Sequence, residues 1–206
     1  MRAFQRGDDG SLFFHFTSQE SQVLRNLLEQ LLEILGDEAL IDLDPLMNLM
    51  GLAGSDTPPD DPVLKRLLPD AYSDEKDAGE FRRYTEYGLR EKKRFHARLL
   101  YQSLAPESSD LVDVREIDRS SHSVKIAEDE AMAWLGSFND LRLALAVRLE
   151  IGGEIGKKSK QEDDEHRRYE VMRESDPMKA VYAVYSWLGW LQQSLLEEIT
   201  NQSRRD

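Results

Sequence analysis

Residues 137–151 read SFNDLRLALAVRLEI, a leucine-crowded run interrupted by Asn139, Asp140, Arg142 and Arg148. Leucine and alanine at this density favour a helix. At about 100° per residue, Trp134, Phe138, Leu141, Leu145 and Leu149 align as one apolar stripe. Leu143, Ala144, Val147 and Ile151 form a second stripe on another side. A helix that is apolar on two sides is contacted from both. The stretch therefore points to a mainly α fold, a helical bundle whose central element covers residues 127–151, within a helix spanning 126–151. Asp140 projects within the second stripe and Arg142 lies at the edge of the first, so both are expected to be at least partly buried. A buried charge needs a partner or changes its protonation. The preceding helix offers Glu80, Arg82 and Arg83, and the expected structural pairs are Asp140 with Arg82 or Arg83 and Arg142 with Glu80. A catalytic acid–base pair would need a cleft and a substrate-facing group of suitable pKa, and the sequence shows neither.

Upstream, residues 74–104 read as the longest helix, with Phe81, Tyr84, Gly88, Phe95 and Leu99 along one face. From position 81 to 98 it carries seven bases against two acids, Glu86 and Glu91. Arg83, Arg90, Arg94 and Arg98 fall within about 80° of one another, beside Tyr87 and Tyr101. A basic stripe flanked by tyrosines can track phosphates. It can equally be a solvated face paired with acidic loops, and base-specific readout cannot be inferred. Downstream, residues 152–177 are charged and poor in apolar side chains, which predicts a mobile loop. Residues 178–200 form a closing amphipathic helix with Val181, Val184, Tyr185, Leu188, Leu191, Leu195 and Ile199 inward. Trp187 and Trp190 lie off that face, beside Gly189, and either pack on the central helix or sit at an interface.

At the other end, residues 3–6 and 12–16 flank Gly7-Asp8-Asp9-Gly10 and predict a β-hairpin over residues 1–16. Phe4, Phe14 and Phe16 are candidates for its buried face. Thr17-Ser18-Gln19-Glu20 is a capping box that opens an amphipathic helix ended by Gly36. Asp44-Pro45 predicts a short Met-rich helix over 46–52, and Asp61-Pro62 another that stops before Pro69. Residues 105–123 are polar and read as irregular, with a brief extended piece at 111–114. The whole, residues 1–206, reads as a single helical domain with its hairpin and loop.

The chain has no cysteine, so disulfides, thiolate nucleophiles, iron–sulfur clusters and cysteine-based zinc sites are excluded within it. A net charge of −13 opposes general attraction to nucleic acid or anionic membranes. There is no signal-peptide pattern and no apolar run of membrane-spanning length, which makes the cytoplasm the default location. Phosphate-loop, nucleophile-elbow and zincin motifs are missing, as is the paired Glu-x-x-His of di-iron bundles. His15, His96, His122 and His166 are scattered. His166 follows the acids at 162–165, where a solvated acidic run is the preferred reading over a metal site. No catalytic residue, metal or cofactor is expected.

Residues 61–93, DPVLKRLLPDAYSDEKDAGEFRRYTEYGLREKK, together with AWLGSFNDLRLALAVRLEI at 133–151 and YSWLGWLQQSLLEEI at 185–199, carry a resemblance. The matching patterns are Asp61-Pro62, Arg66 through Tyr72, Glu80-Phe81-Arg82, Trp134-Leu135, Asn139 through Leu145, and Trp187-Leu188 with Gln192. The chain resembles an actinobacterial family of unknown function that also carries the name AosR-type oxidative-stress transcriptional regulator. The resemblance implies an intracellular, non-enzymatic regulator, commonly encoded near the ClpS proteolysis adaptor and cysteine-synthesis genes, with a redox-linked role in transcription. A cysteine-based disulfide switch cannot operate here, so DNA contact would rest on the basic stripe or on a partner such as a sigma factor. The alternative is a protein-interaction or adaptor module linked to proteolysis or cysteine metabolism. A protein partner is expected, DNA contact and a homodimer stay open, and no membrane is involved.

Overall fold

The computed structural model describes residues 3–36, 55–105, 121–152 and 167–202. In chain order it has β1 (Gln5–Arg6), β2 (Leu12–Thr17), α1 (Ser18–Leu35), α2 (Pro62–Leu67), α3 (Glu75–Ser103), β3 (Ser121–Ile126), a 3₁₀ turn (Glu128–Glu130), α4 (Ala131–Arg148) and α5 (Pro177–Gln202). The architecture is mainly α with one small antiparallel sheet in the order β1-β2-β3. The helix expected at 46–52, the extended piece at 111–114, and His166 with its acidic run lie outside the described residues.

Two compact units make up the chain: Met1–Asp37, Lys92–Phe138 and Leu191–Asp206 form one, Glu38–Glu91 and Asn139–Trp190 the other. In the first, β2 alternates strictly. Leu12, Phe14 and Phe16 are buried while His15 points out. Phe4 packs on Phe14 with ring centroids 4.7 Å apart, and Trp134 meets Phe4, Phe16 and Phe138 within 6.5 Å. Burying each such ring stabilises the unit by about 1.5–3 kcal/mol. The amide of Phe4 donates to Ser194 Oγ at 3.0 Å, and Arg6 donates to the Glu198 carbonyl at 3.1 Å. In the hairpin turn Lys125 Nζ sits 2.7 Å from Asp9, whose carboxyl it holds far below the usual carboxylate range with help from Ser11.

The capping box forms as its residues require. Glu20 N donates to Thr17 Oγ1 at 3.2 Å, and Thr17 N donates to Glu20 Oε2 at 2.7 Å. Two orphan amides of α1 are satisfied by this exchange. Gly36 ends the helix at φ +87°, a conformation only glycine adopts freely.

Two expectations need correction. Residues 121–126 are not irregular or helical. They form β3, paired in register from Thr17 opposite Ser121 to Leu12 opposite Ile126. Val124 and Ile126 are buried in alternation there, and β-branched residues suit a pleated, half-buried surface. The central helix accordingly starts at Ala131. It also stops at Arg148 rather than 151, because Glu150 and Gly152 take positive φ (53° and 73°). Beyond it, residues 167–170 form a helical turn within the stretch read as a loop, and Tyr169 is buried there with its hydroxyl donating to the Leu149 carbonyl.

Candidate functional site

The long helix α3 packs the opposite way to its apolar pattern. The face carrying Phe81, Tyr84, Gly88 and Phe95 is the open one, with Phe81 44% and Tyr84 57% exposed. Its buried positions include Ala78, Arg82, Arg94, Ala97 and Leu100, and Leu104 is buried just past its end. Small residues let neighbouring backbone approach: at Gly79 a Cβ would meet the Asp56 carbonyl oxygen at 2.7 Å. The two arginines can be buried because each finds acceptors waiting.

In the second unit Arg82 donates to Asp70 (2.7 Å), to Glu86 (2.6 Å) and to the Leu68 carbonyl (3.0 Å). Burial works against the guanidinium's charge, but the bonds to Asp70 and Glu86 outweigh it and raise its pKa. Glu86 also accepts from Arg90 Nε and Nη2 at 2.9 and 2.7 Å. This Asp70–Arg82–Glu86–Arg90 chain fixes the 68–71 turn against α3. Between them opens a groove of about 260 Å³, walled by Leu68, Pro69, Ala71, Phe81 and Leu89. Tyr72 stands edge-on to Phe81 at its rim, with centroids 5.6 Å apart.

Two of the expected pairs, Asp140 with Arg82 and Arg142 with Glu80, are not those found among the described residues. Arg82 takes Asp70 and Glu86 in place of Asp140. Glu80 is exposed and has no ion pair among the described residues, so it does not neutralise Arg142. Asp140 is buried at 3% exposure and is engaged within the protein. Arg142 is half-buried and lies over the Tyr185 ring, 5.1 Å from its centroid, with a long 3.4 Å contact from Nη2 to the hydroxyl. Asp140 does not line the cleft that Arg142 borders.

The four arginines proposed as a basic stripe do not share one open face. Arg83 is exposed, Arg90 is turned to Glu86, and Arg98 is half-buried. Arg94 is 1% exposed and donates to the Gly36 carbonyl at 2.7 Å, satisfying an orphan acceptor at the end of α1. The spacing alone could not reveal this, because the acceptor lies 58 residues away. Trp187 and Trp190 are both half-buried on α5. The groove beside Phe81 was missed altogether. Aromatic residues and arginines share α3 at similar helical spacing, and ordinary solvation would turn the arginines outward, so the sequence carried no local signal for it.

A family model described as Domain of unknown function (DUF2017) matches residues 1–199. The chain is a DUF2017 protein. Among relatives of this DUF2017 chain, the oxidative stress regulator AosR of Mycobacterium tuberculosis strain H37Rv is 29% identical over 185 residues, covering 86% of this chain and 77% of the relative. The putative oxidative stress regulator AosR of Mycobacterium leprae is 31% identical over 193 residues, with the same coverage. No solved structure matches significantly. Among the described residues no helix is long and apolar enough to cross a membrane, and no cluster of three or more His, Cys, Asp or Glu side chains could hold a metal ion.

Proposed function

We propose that this chain is a non-enzymatic regulator of the oxidative-stress response that works by contacting a protein of the transcription machinery, with no thiol switch of its own. The observation that carries the reading is the open aromatic face of the second unit. Phe81 and Leu89 line the groove beside α3, Tyr72 stands against Phe81, and all three are exposed, as are Tyr84 and Tyr87 elsewhere on the same helix. Monomeric proteins seldom leave large apolar side chains clustered in water unless a partner covers them, and aromatic residues are enriched at such contacts. The names of the relatives support the regulatory role. The absence of cysteine from these 206 residues supports regulation by contact.

Direct DNA contact is the second reading, favoured by exposed Arg83 alone. It must work against a net charge of −13 and without buried Arg94. One experiment separates the two. Purified chain is tested for retention of RNA polymerase and its initiation factors after nuclease treatment, and for a salt-dependent DNA shift. We expect retention that is lost in the Phe81→Asp/Tyr84→Asp variant, and no shift at about 150 mM salt. Retention unchanged by that variant, or a shift abolished by Arg83→Glu/Arg98→Glu, would overturn the protein-contact reading in favour of another surface or of DNA.

A further inference from the structure

We infer that the second unit holds a binding cleft for a small organic oxyanion, a carboxylate or a phosphate ester attached to a short apolar body. The cleft has a volume of about 310 Å³ and lies where the end of α2, the middle of α4, the turn after α4 and α5 meet. That is the low end of the size range of small-molecule sites. Its polar groups are the guanidinium groups of Arg66 and Arg142, the Asn139 amide and the Tyr185 hydroxyl. None of its lining residues among those described is acidic, in a chain where acids outnumber bases 40 to 27. Two guanidinium groups brought to one hollow in so acidic a protein make a local concentration of oxyanion donors.

Both arginines are seated by glycines. A Cβ on Gly152 would stand 3.3 Å from Arg66 Nη2, and one on Gly189 would stand 3.4 Å from Arg142 Nε. Glycine in the middle of α5 costs helix stability of about 1 kcal/mol relative to alanine, and the Arg142 guanidinium lies directly against Gly189, in the contact an added Cβ would make. Gly152 sits at φ +73°, where a side chain would be strained as well as crowded. Arg142 is further held over the Tyr185 ring. Arg66 makes no ion pair or hydrogen bond among the described residues. Its charge-paired neighbour in sequence space, Arg82, shows what this unit does with an arginine meant for structure: it supplies two carboxylates. Among the described residues Arg66 receives none. A planar guanidinium presents a fork of donors matched to carboxylate and phosphate oxygens. The opposite wall is apolar, formed by Leu143, Ala146 and Ile151, the last two part of the buried cluster around Leu149 and Tyr169. A ligand with an oxyanion at one end and a few carbons at the other satisfies both walls. This inference stands apart from the aromatic groove and does not depend on it.

The test titrates the intact chain with phenyl phosphate and benzoate, using benzylamine and benzyl alcohol as cationic and neutral counterparts, by calorimetry and by two-dimensional NMR. We expect at least one anion to bind, with shifts centred on the Tyr185 and Gly152 amides, and the two counterparts not to bind there. Whichever anion binds more tightly identifies the source as phosphate or carboxylate. Arg66→Gln should weaken that binding about tenfold or more with the unfolding midpoint of the free protein kept, since Arg66 bonds nothing among the described residues. Arg83→Gln, an exposed arginine outside the cleft, should leave it within about twofold. Binding of neither anion, equal weakening by both variants, or equal binding of benzyl alcohol would overturn the proposal.

Discussion

At the scale of single residues, the buried arginines decide more than the leucines do. Arg82 lies inside the second unit because Asp70, Glu86 and the Leu68 carbonyl meet its donors. Removing it leaves the mostly buried Glu86 with Arg90 as its remaining partner and strips one of its oxygens, while Asp70 is open enough to rehydrate. Arg82→Ala should therefore cost about 2–4 kcal/mol in urea unfolding. Asp70→Asn, which leaves the Glu86 bond intact, should cost less than about 1 kcal/mol. Equal losses for the two would mean that Glu86 is not the partner that matters. The sequence showed that such residues needed partners but pointed to the wrong one for Arg82. Residues 70 and 86 are one turn of chain and one turn of helix away from Arg82, whereas the stripe argument looked toward Asp140 on another helix.

Elements show a second level of legibility. The capping box at Thr17 and the stop at Gly36 were readable because they are local, satisfied within four residues. Strand β3 was not, because its reason to exist lies over a hundred residues upstream in β2. The orientation of α3 was unreadable for a different reason. Its aromatic stripe and its arginines have equally good helical spacing, and only tertiary acceptors decide which side turns inward. Glycines on the helices now sort by what surrounds them. At Gly88 on α3 a Cβ would meet nothing within 4 Å, whereas at Gly136 on α4 it would come within 2.8 Å of the His96 ring. Gly88→Ala should stabilise by about 0.5–1 kcal/mol, through helix propensity alone. Gly136→Ala should destabilise by about 1–3 kcal/mol, because the crowding of His96 exceeds that gain. Thermal unfolding of both variants checks the pair, and a stabilised Gly136→Ala would show that α4 does not pass His96 this closely.

For the molecule as a whole, charge is the dominant global property. Forty acids against 27 bases give a self-repelling chain, while the Arg82–Glu86 pair is largely shielded from solvent. Raising salt from about 10 to about 300 mM should therefore raise the unfolding midpoint, since screening relieves repulsion more than it weakens buried pairs. A midpoint that drops with salt would mean exposed pairs hold the protein together. The mainly α architecture and the family were legible in the sequence, one from periodicity and the other from ordered motifs such as Asn139 through Leu145. The groove and the oxyanion cleft were not, because each gathers residues from separated segments. The three-stranded sheet has a consequence for biosynthesis. Phe14 and Phe16 leave the ribosome early, yet the strand that flanks them ends at Ile126, their cover Trp134 follows it, and the hydroxyl that anchors Phe4 belongs to Ser194. The nascent polypeptide must thus carry unsheltered phenylalanines through most of translation, which makes its first half a natural client for co-translational chaperones.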